Sequence, residues 1–558
     1  MTAAPDARCA PLDLPRLDEA GLVTDRVTGL VTDLVTDLVT DLVPRRRFLG
    51  LSLGASATWL TGCSDDVAGT GSGSSGGEST GGSGGTGDPD GSGTGGTGTG
   101  GETGSSGADP SADGSGSTSD TGEPEACEDG GFEEVFDVDA VPVDAAIFPY
   151  ALMAGEMRPT SALLAIQIPD AAPKLLRVWR PVEPEGTMLV VAEIEVTPDA
   201  DGYAKVPLEG LCPGTWYHYA YFVGEPGALQ VRSRVAQFRT APEEEAVEPL
   251  TIAMTACNGS SLNWPALSRT AEEYYDVFIH LGDMAYNDGA FTLGEYRESW
   301  RTYMGAEGFI ECFGLAGLYA TWDDHEIDNN SNFDRETMDP TQLQKRQNAL
   351  DSFFEIMPID AQGPDYQLWR SFRWGLTAEI FVLDCRYERR PSLGQYMSPA
   401  QMDWLKERLI QSPCHFKIIM NSVPITNMPG VWDFAAGDRW EGYPDSRNEL
   451  LDFIQDNLVT NVWFLAGDFH TCFVSRVEAN GGLIANTYEI AVTGGNSNPL
   501  PDILTGFDAP PFEYGVTVPR GCILVFDAEA NAVNVRFIDP QTGEDRYNET
   551  LSQTAPGG

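Results

Sequence analysis

Five apolar runs of strand length, LTIAMTAC, YDVFIHLGD, AEIFVLD, FKIIMNS and NVWFLAGD, follow residue 248, and each ends in polar residues. Helical segments separate several of them. In SPAQMDWLKERLIQS, Ser398 is placed to cap the helix, Pro399 occupies its first position and Gln401 stands at the capping-box position. SRNELLDFIQDNL reads likewise, and GCILVFDAEANAVNVRFID reads as two strands around a short turn. Strands alternating with helices make an α/β domain, assigned here to residues 248–540 with 541–558 as a tail. Open α/β sheets gather ligands at the C-terminal ends of their strands. That rule brings together Cys257, Asn258, Asp283, Tyr286, Asp324, His325, Asn421, Asp468 and His470.

Taken singly these residues have plain explanations, since Asp-Gly pairs make turns, a lone Cys is usually core and Asn often caps. TWDDHEIDNN, residues 321–330, is harder to dismiss. It crowds Asp323, Asp324, Glu326 and Asp328 around His325 and closes on Asn329 and Asn330. Carboxylates at this density repel one another unless a cation lies between them, which points to metal ions.

The region from about 136 to 242 alternates short apolar runs with turns and lacks a long helix, the pattern of a small β-sandwich. Within GLCPGTWYHYAYF, the Pro213-Gly214 turn leads into Tyr217, Tyr219 and Tyr221, much like a fibronectin type III strand with a tyrosine corner. Before the sandwich, residues 64–132 are Gly, Ser, Thr and acid, a self-repelling disordered linker. Earlier still, PRRRFLGLSLGASATWLTGC resembles a twin-arginine export signal (Arg45, Arg46) fused to a lipoprotein cleavage box, with Cys63 as the lipidated residue. Its apolar run of 13 residues is short of the roughly 18 that a membrane span requires. Residues 1–44, with their Leu-Val-Thr-Asp repeat over 22–43, suit no regular element. They are long for a signal, and a start site downstream of Met1 would account for them.

With 84 Asp+Glu against 34 Lys+Arg, the formal charge is −50. This disfavours nucleic acid and anionic lipid as electrostatic partners, and a phosphorylated substrate needs a local cationic site.

The blocks TACN, HLGDMAY, WDDHEIDNN, LDCR and GDFH, in this order, resemble the PhoD-type alkaline phosphatases and phosphodiesterases of the calcineurin-like metallophosphoesterases. The resemblance runs from 136 to about 540. It implies a metallophosphoesterase domain, a layered β-sandwich flanked by helices, behind the smaller fibronectin III-like sandwich. Most of the superfamily opens on Asp-x-His where this sequence has Cys257, and Cys385 replaces the usual Thr of the LDTR block. Carried over by position, Cys257, Tyr286 and His470 hold one metal and Asp283 bridges to a second held by Asp324, Asp468 and Asn421, with Asn330 completing that side. Thiolate and phenolate suit ferric iron and the hard oxygens suit calcium, so Fe(3+) and Ca(2+) are expected. Metal-activated hydroxide then attacks phosphorus, His325 assists the leaving alkoxide, and Arg386 clamps phosphate. His218 and His280 read as structural.

The expected protein is a monomeric, membrane-tethered phosphoesterase exported through the twin-arginine machinery to face the periplasm or cell exterior, acting on phosphate monoesters or diesters to scavenge phosphate. A phosphodiesterase for phospholipid or cell-wall polymer is an alternative, and an inert calcium-binding surface module is another, against which His325 argues. Ten cysteines less Cys9, Cys63 and Cys257 leave seven, so at least one is unpaired.

Overall fold

The computed structural model describes residues 127–330, 334–360, 366–479 and 482–553. The export signal, Cys63 and the repeat lie outside them. The acidic linker ends earlier than expected. Cys127 is disulfide-bonded to Cys212, Asp129 forms a salt bridge with Arg180 at 2.5 Å, and the first strand spans Phe132–Val135.

Nine strands from Phe132–Val135 to Ala236–Arg239 form the N-terminal sandwich, as a six-stranded sheet facing a three-stranded one. Its tyrosine corner is present, since the Tyr217 hydroxyl accepts from the Cys212 N–H at 2.7 Å. Tyr217, Tyr219 and Tyr221 are buried in the core, as expected for aromatics on one face of a strand. His218 lies against Trp179, with ring centroids 6.1 Å apart.

The second domain is built on two sheets. In spatial order one contains Gly317–Ala320, Val277–His280, Leu250–Thr255, Gly521–Asp527, Ala532–Ile538 and Asp545–Leu551. The first three run parallel to one another. The other contains Arg370–Trp374, Ala378–Val382, Phe416–Met420, Val462–Ala466, Tyr488–Ala491, Cys472–Arg476 and Phe512–Val516, and its second to fifth strands are parallel.

Side chains alternate across each strand, so Ile252, Met254 and Ile279 of one sheet meet Ile380, Ile418 and Leu465 of the other between the layers. On the outer faces Ala253, Phe278 and Leu318 pack with Trp300, Phe309 and Phe353 from helices Leu293–Met304, Glu307–Leu315 and Pro340–Ile356. Phe381, Ile419 and Phe464 pack with Leu405 and Leu450 from helices Pro399–Gln411 and Pro444–Asp456. Apolar residues on both faces explain why these strands read as continuous apolar runs.

Two expectations need correction. Residues 541–558 are not simply a tail, because Asp545–Leu551 extends the first sheet antiparallel to Ala532–Ile538. Gln401 does not close a capping box. Ser398 caps the helix at 3.1 Å, but the Gln401 side chain is bonded to the Asp384 N–H and C=O at 2.8 and 3.0 Å, tying the helix start to the LDCR loop.

Candidate metal centre

Parallel neighbours end at a common edge, so three strands of the first sheet release Cys257, Asp283 and the 323–326 acids side by side. The second sheet delivers Asp468 and His470 to the same place. The sheets can meet there because residue 467 is Gly, where a Cβ would come within 2.6 Å of the Ala256 Cβ. Cys257, Asp283 and His470 offer ligand atoms within 4.8 Å of one another, as do Asp283, Asp323 and Asp324, so Asp283 is common to both groups.

The backbone at these positions is unusual. Cys257, Asp283, Asn330, Asp468 and His470 have φ of 53°, 55°, 48°, 66° and 52°, left-handed values that non-glycine residues seldom adopt. Such strain gathers at functional sites, where the surroundings hold it in place.

The Tyr286 hydroxyl lies 3.4 Å from Asp283 Oδ2 and 3.3 Å from His470 Nε2, which places it with the Cys257 group. Asn330 donates its backbone N–H to Asp324 Oδ2, on the carboxylate side.

Two sequence expectations fare differently. The Asn421 amide oxygen accepts from the Cys385 thiol at 3.1 Å and from Trp440 Nε1 at 3.0 Å, which turns it to packing rather than ligation. Arg386 is buried, and its guanidinium reaches Asp323 at 2.5 Å, Asp468 at 2.8 Å and Asp324 at 3.3 Å, with Asp438 as a further partner. It neutralises the carboxylate cluster instead of projecting toward a phosphate. Asp323, to which the resemblance assigned no metal, is also among the groups that could hold one.

His325 donates its Nδ1–H to the Asp288 carboxylate, whose two oxygens each lie 2.9 Å away, and its ring lies 3.8 Å from that of Tyr286. Burial opposes its charge, but Asp283, Asp324 and Asp288 outweigh burial and raise its pKa to about 10. Glu326, expected to flank it, turns into the backbone, where it accepts from the N–H groups of Asp283, Met284 and Asp323 at 3.1, 2.5 and 2.8 Å. His280 is internal, bonded to the Asn258 side chain at 2.9 Å.

Asp288, Asp438 and Asn496, which donates to Tyr286 at 2.7 Å, are site residues that the sequence motifs did not reveal. Asp288 alone carried a signal, as the acid that closes GDMAYND after Asp283 and Tyr286.

The donor set fits metal ions. Burial, and after it the neighbouring acids, hold the Cys257 thiol, Asp283 and Asp468 well above their ordinary pKa values. Burial likewise raises the Tyr286 phenol and lowers His470 to about 4. Asp283, Asp323, Asp324, Asp438 and Asp468 face only Arg386, Arg389 and His325 as cationic partners among the described residues. A cation among them reverses the cost of ionising thiol, phenol and carboxylate together.

Two layered sheets that bring acid, imidazole and thiol groups together at their shared strand ends make a metallophosphoesterase-like fold. Residues 252–505 match the PhoD-like phosphatase family. Alkaline phosphatase D of Bacillus subtilis (strain 168) is 26% identical over 325 residues, 49% of this chain and 54% of that protein, so the chain spans about half the length of its curated relative. Among solved structures, that titled as PhoD has a TM-score of 0.61 at 21% identity, covering 74% of this chain and 94% of its own. The purple acid phosphatase PPD1 of yellow lupin seeds has a TM-score of 0.51 at 13% identity, covering 73% and 75%. At these identities both speak for the fold alone.

Proposed function

We propose that this protein is a metal-dependent phosphoesterase of the alkaline phosphatase type, hydrolysing phosphate monoesters, diesters or both, and that it works outside the cytoplasm. The observation that carries the reading is the convergence of Cys257, Asp283, Tyr286, Asp324, Asp468 and His470 from two sheets onto one edge, with four of the six held in left-handed backbone.

Cys257, Tyr286 and His470 would hold ferric iron. Asp323, Asp324 and Asp468, with Asn330 beside them, would hold calcium, and Asp283 faces both. When bound, such a pair supplies Lewis acidity toward the phosphoryl group and activates water. His325 holds the proton that the departing alkoxide needs, Asp288 orients that imidazole through Nδ1, and the Tyr286 ring packs against it. Arg386 keeps the acids from repelling one another apart.

The Cys127–Cys212 disulfide supports export, because such bonds persist in oxidising compartments. Twin-arginine passage of a folded protein lets the Cys257 thiolate acquire iron in the reducing cytoplasm, and Cys63 would then tether the body to the membrane.

The test is hydrolysis of a model monoester and a model diester by the iron- and calcium-loaded full chain, with Cys257→Ala alongside. Hydrolysis abolished by the substitution and by chelation is expected. Absence of hydrolysis of both esters by folded, metal-loaded protein would overturn the proposal.

A further inference from the structure

The loop Thr493–Asn498, sequence TGGNSN, follows strand Tyr488–Ala491 and touches each residue of the thiolate, phenolate and imidazole group. The Asn496 N–H donates to the Cys257 carbonyl at 2.9 Å, and the Asn496 amide Nδ2 donates to the Tyr286 oxygen at 2.7 Å. The Asn498 N–H donates to the His470 carbonyl at 3.1 Å, and its side chain donates to the Phe469 carbonyl at 2.7 Å. The loop is itself fixed, since the Thr493 hydroxyl donates to the Asn496 carbonyl at 2.6 Å. It also lies against the TACN turn so closely that a Cβ at Gly495 would come within 1.8 Å of the Asn258 carbonyl oxygen, a distance only glycine permits.

Of the three polar partners of the Tyr286 oxygen, Asn496 is the nearest, against 3.3 Å to His470 and 3.4 Å to Asp283. An amide N–H can only donate. It therefore occupies one lone pair of that oxygen and turns the hydroxyl hydrogen toward Asp283 or His470, the side from which a metal would be approached.

We propose that Asn496 is a positioning residue for the metal centre, which aims the Tyr286 oxygen at iron and draws electron density from it through a single amide hydrogen bond. The inference rests on the reading of Cys257, Tyr286 and His470 as iron ligands, and it assigns to the TGGNSN loop the outer layer of that site. Partners of this kind commonly govern metal affinity by about 10- to 100-fold.

The test uses the full chain loaded with ferric iron, comparing wild type, Tyr286→Phe, Asn496→Ala and, as a smaller perturbation of the loop, Asn496→Ser. The readouts are bound iron after dialysis against a competing chelator and the visible phenolate-to-iron absorption band. The expected result is a band in wild type that is absent in Tyr286→Phe and moves to longer wavelength in both Asn496 variants, because a phenolate without its donor is more electron-rich. Iron retention should fall about 10-fold or more in the same variants. A wild-type band that keeps its position and iron retention in Asn496→Ala and Asn496→Ser would overturn the role of Asn496 while leaving the ligand reading intact. A wild type without a band, or a band that survives in Tyr286→Phe, would overturn the ligand reading and this inference with it.

Discussion

Replacing Asp288 by Asn tests whether His325 acts as an acid. Three carboxylates, Asp283, Asp324 and Asp288, raise the His325 pKa to about 10 against the effect of burial. The first two are placed for metal ligation, so a bound cation offsets their charge, and Asp288 is the carboxylate left to favour the imidazolium. The hydrogen bond is charge-assisted, a class contributing about 1.5–3 kcal/mol. The Asp288 side chain is 39% exposed, and Asn retains an acceptor oxygen, so solvent screening reduces the expected loss to about 1–2 kcal/mol. That corresponds to a fall in kcat of about 5- to 30-fold.

The loss should depend on the leaving group. An alkyl phosphate ester, whose alkoxide needs a proton, should show the full effect, and a nitrophenyl ester, whose phenolate departs unaided, should show little. The sign of the pH effect follows from the same pairing. A raised pKa keeps His325 protonated at neutral pH, activity falls as His325 loses its proton on the alkaline side, and Asp288→Asn should move that fall about one pH unit lower. Equal losses on both esters, or an alkaline limb that does not move, would refute the role of His325 as the proton donor.

Glu326→Gln should destabilise the protein by about 2 kcal/mol, read from urea unfolding, because one amide oxygen cannot serve the three N–H groups that the carboxylate now accepts. An unchanged midpoint would show that the clamp is dispensable. Arg386→Met should cost about 3–5 kcal/mol in calcium-free protein by leaving buried acids without their cation. Calcium should then raise the melting temperature more in the variant than in wild type, and an equal or smaller rise would contradict the assignment of those acids to the cation site.

The fold was legible wherever burial leaves its mark on sequence. VWFLA is apolar throughout, and FKIIM at every position but Lys417, because sheet and helix cover both faces, and their ends therefore pointed to the site edge. Asp545–Leu551 left no such mark. It is an edge strand, DRYNETL, mostly exposed and so polar on both faces, and only backbone pairing makes it a strand. The residues that the structure gathers at the site edge were legible for a related reason, since they are polar and follow closely on apolar strands.

What a residue does at such a position was less legible, because that depends on where distant segments arrive. Asn421 ends a strand as Asp468 does, yet Trp440 from a short 3-10 helix and Cys385 from the neighbouring loop capture its oxygen. Arg386 looked like a phosphate clamp until the acids of three separate loops closed around it. Asp288 acquires its meaning only where the Tyr286 loop meets the His325 loop.

The left-handed residues show how the centre is built in advance of its ions. Strain of this kind costs about 1–3 kcal/mol per residue and persists only where the surroundings over-determine the backbone. Three of the strained residues have such a restraint on their own peptide groups: Cys257 from Gly282 and Asn496, Asp283 from Glu326, and His470 from Asn498. These restraints come from residues that are not themselves placed as ligands, although Gly282 and Glu326 sit within the motifs that supply them. Ligand identity and ligand geometry are therefore encoded in different residues. The motifs specify the donor atoms, and TGGNSN and the inward-turned Glu326 specify the angles at which they are presented, so a substitution that leaves every donor in place can still weaken the site by relaxing the backbone beneath it.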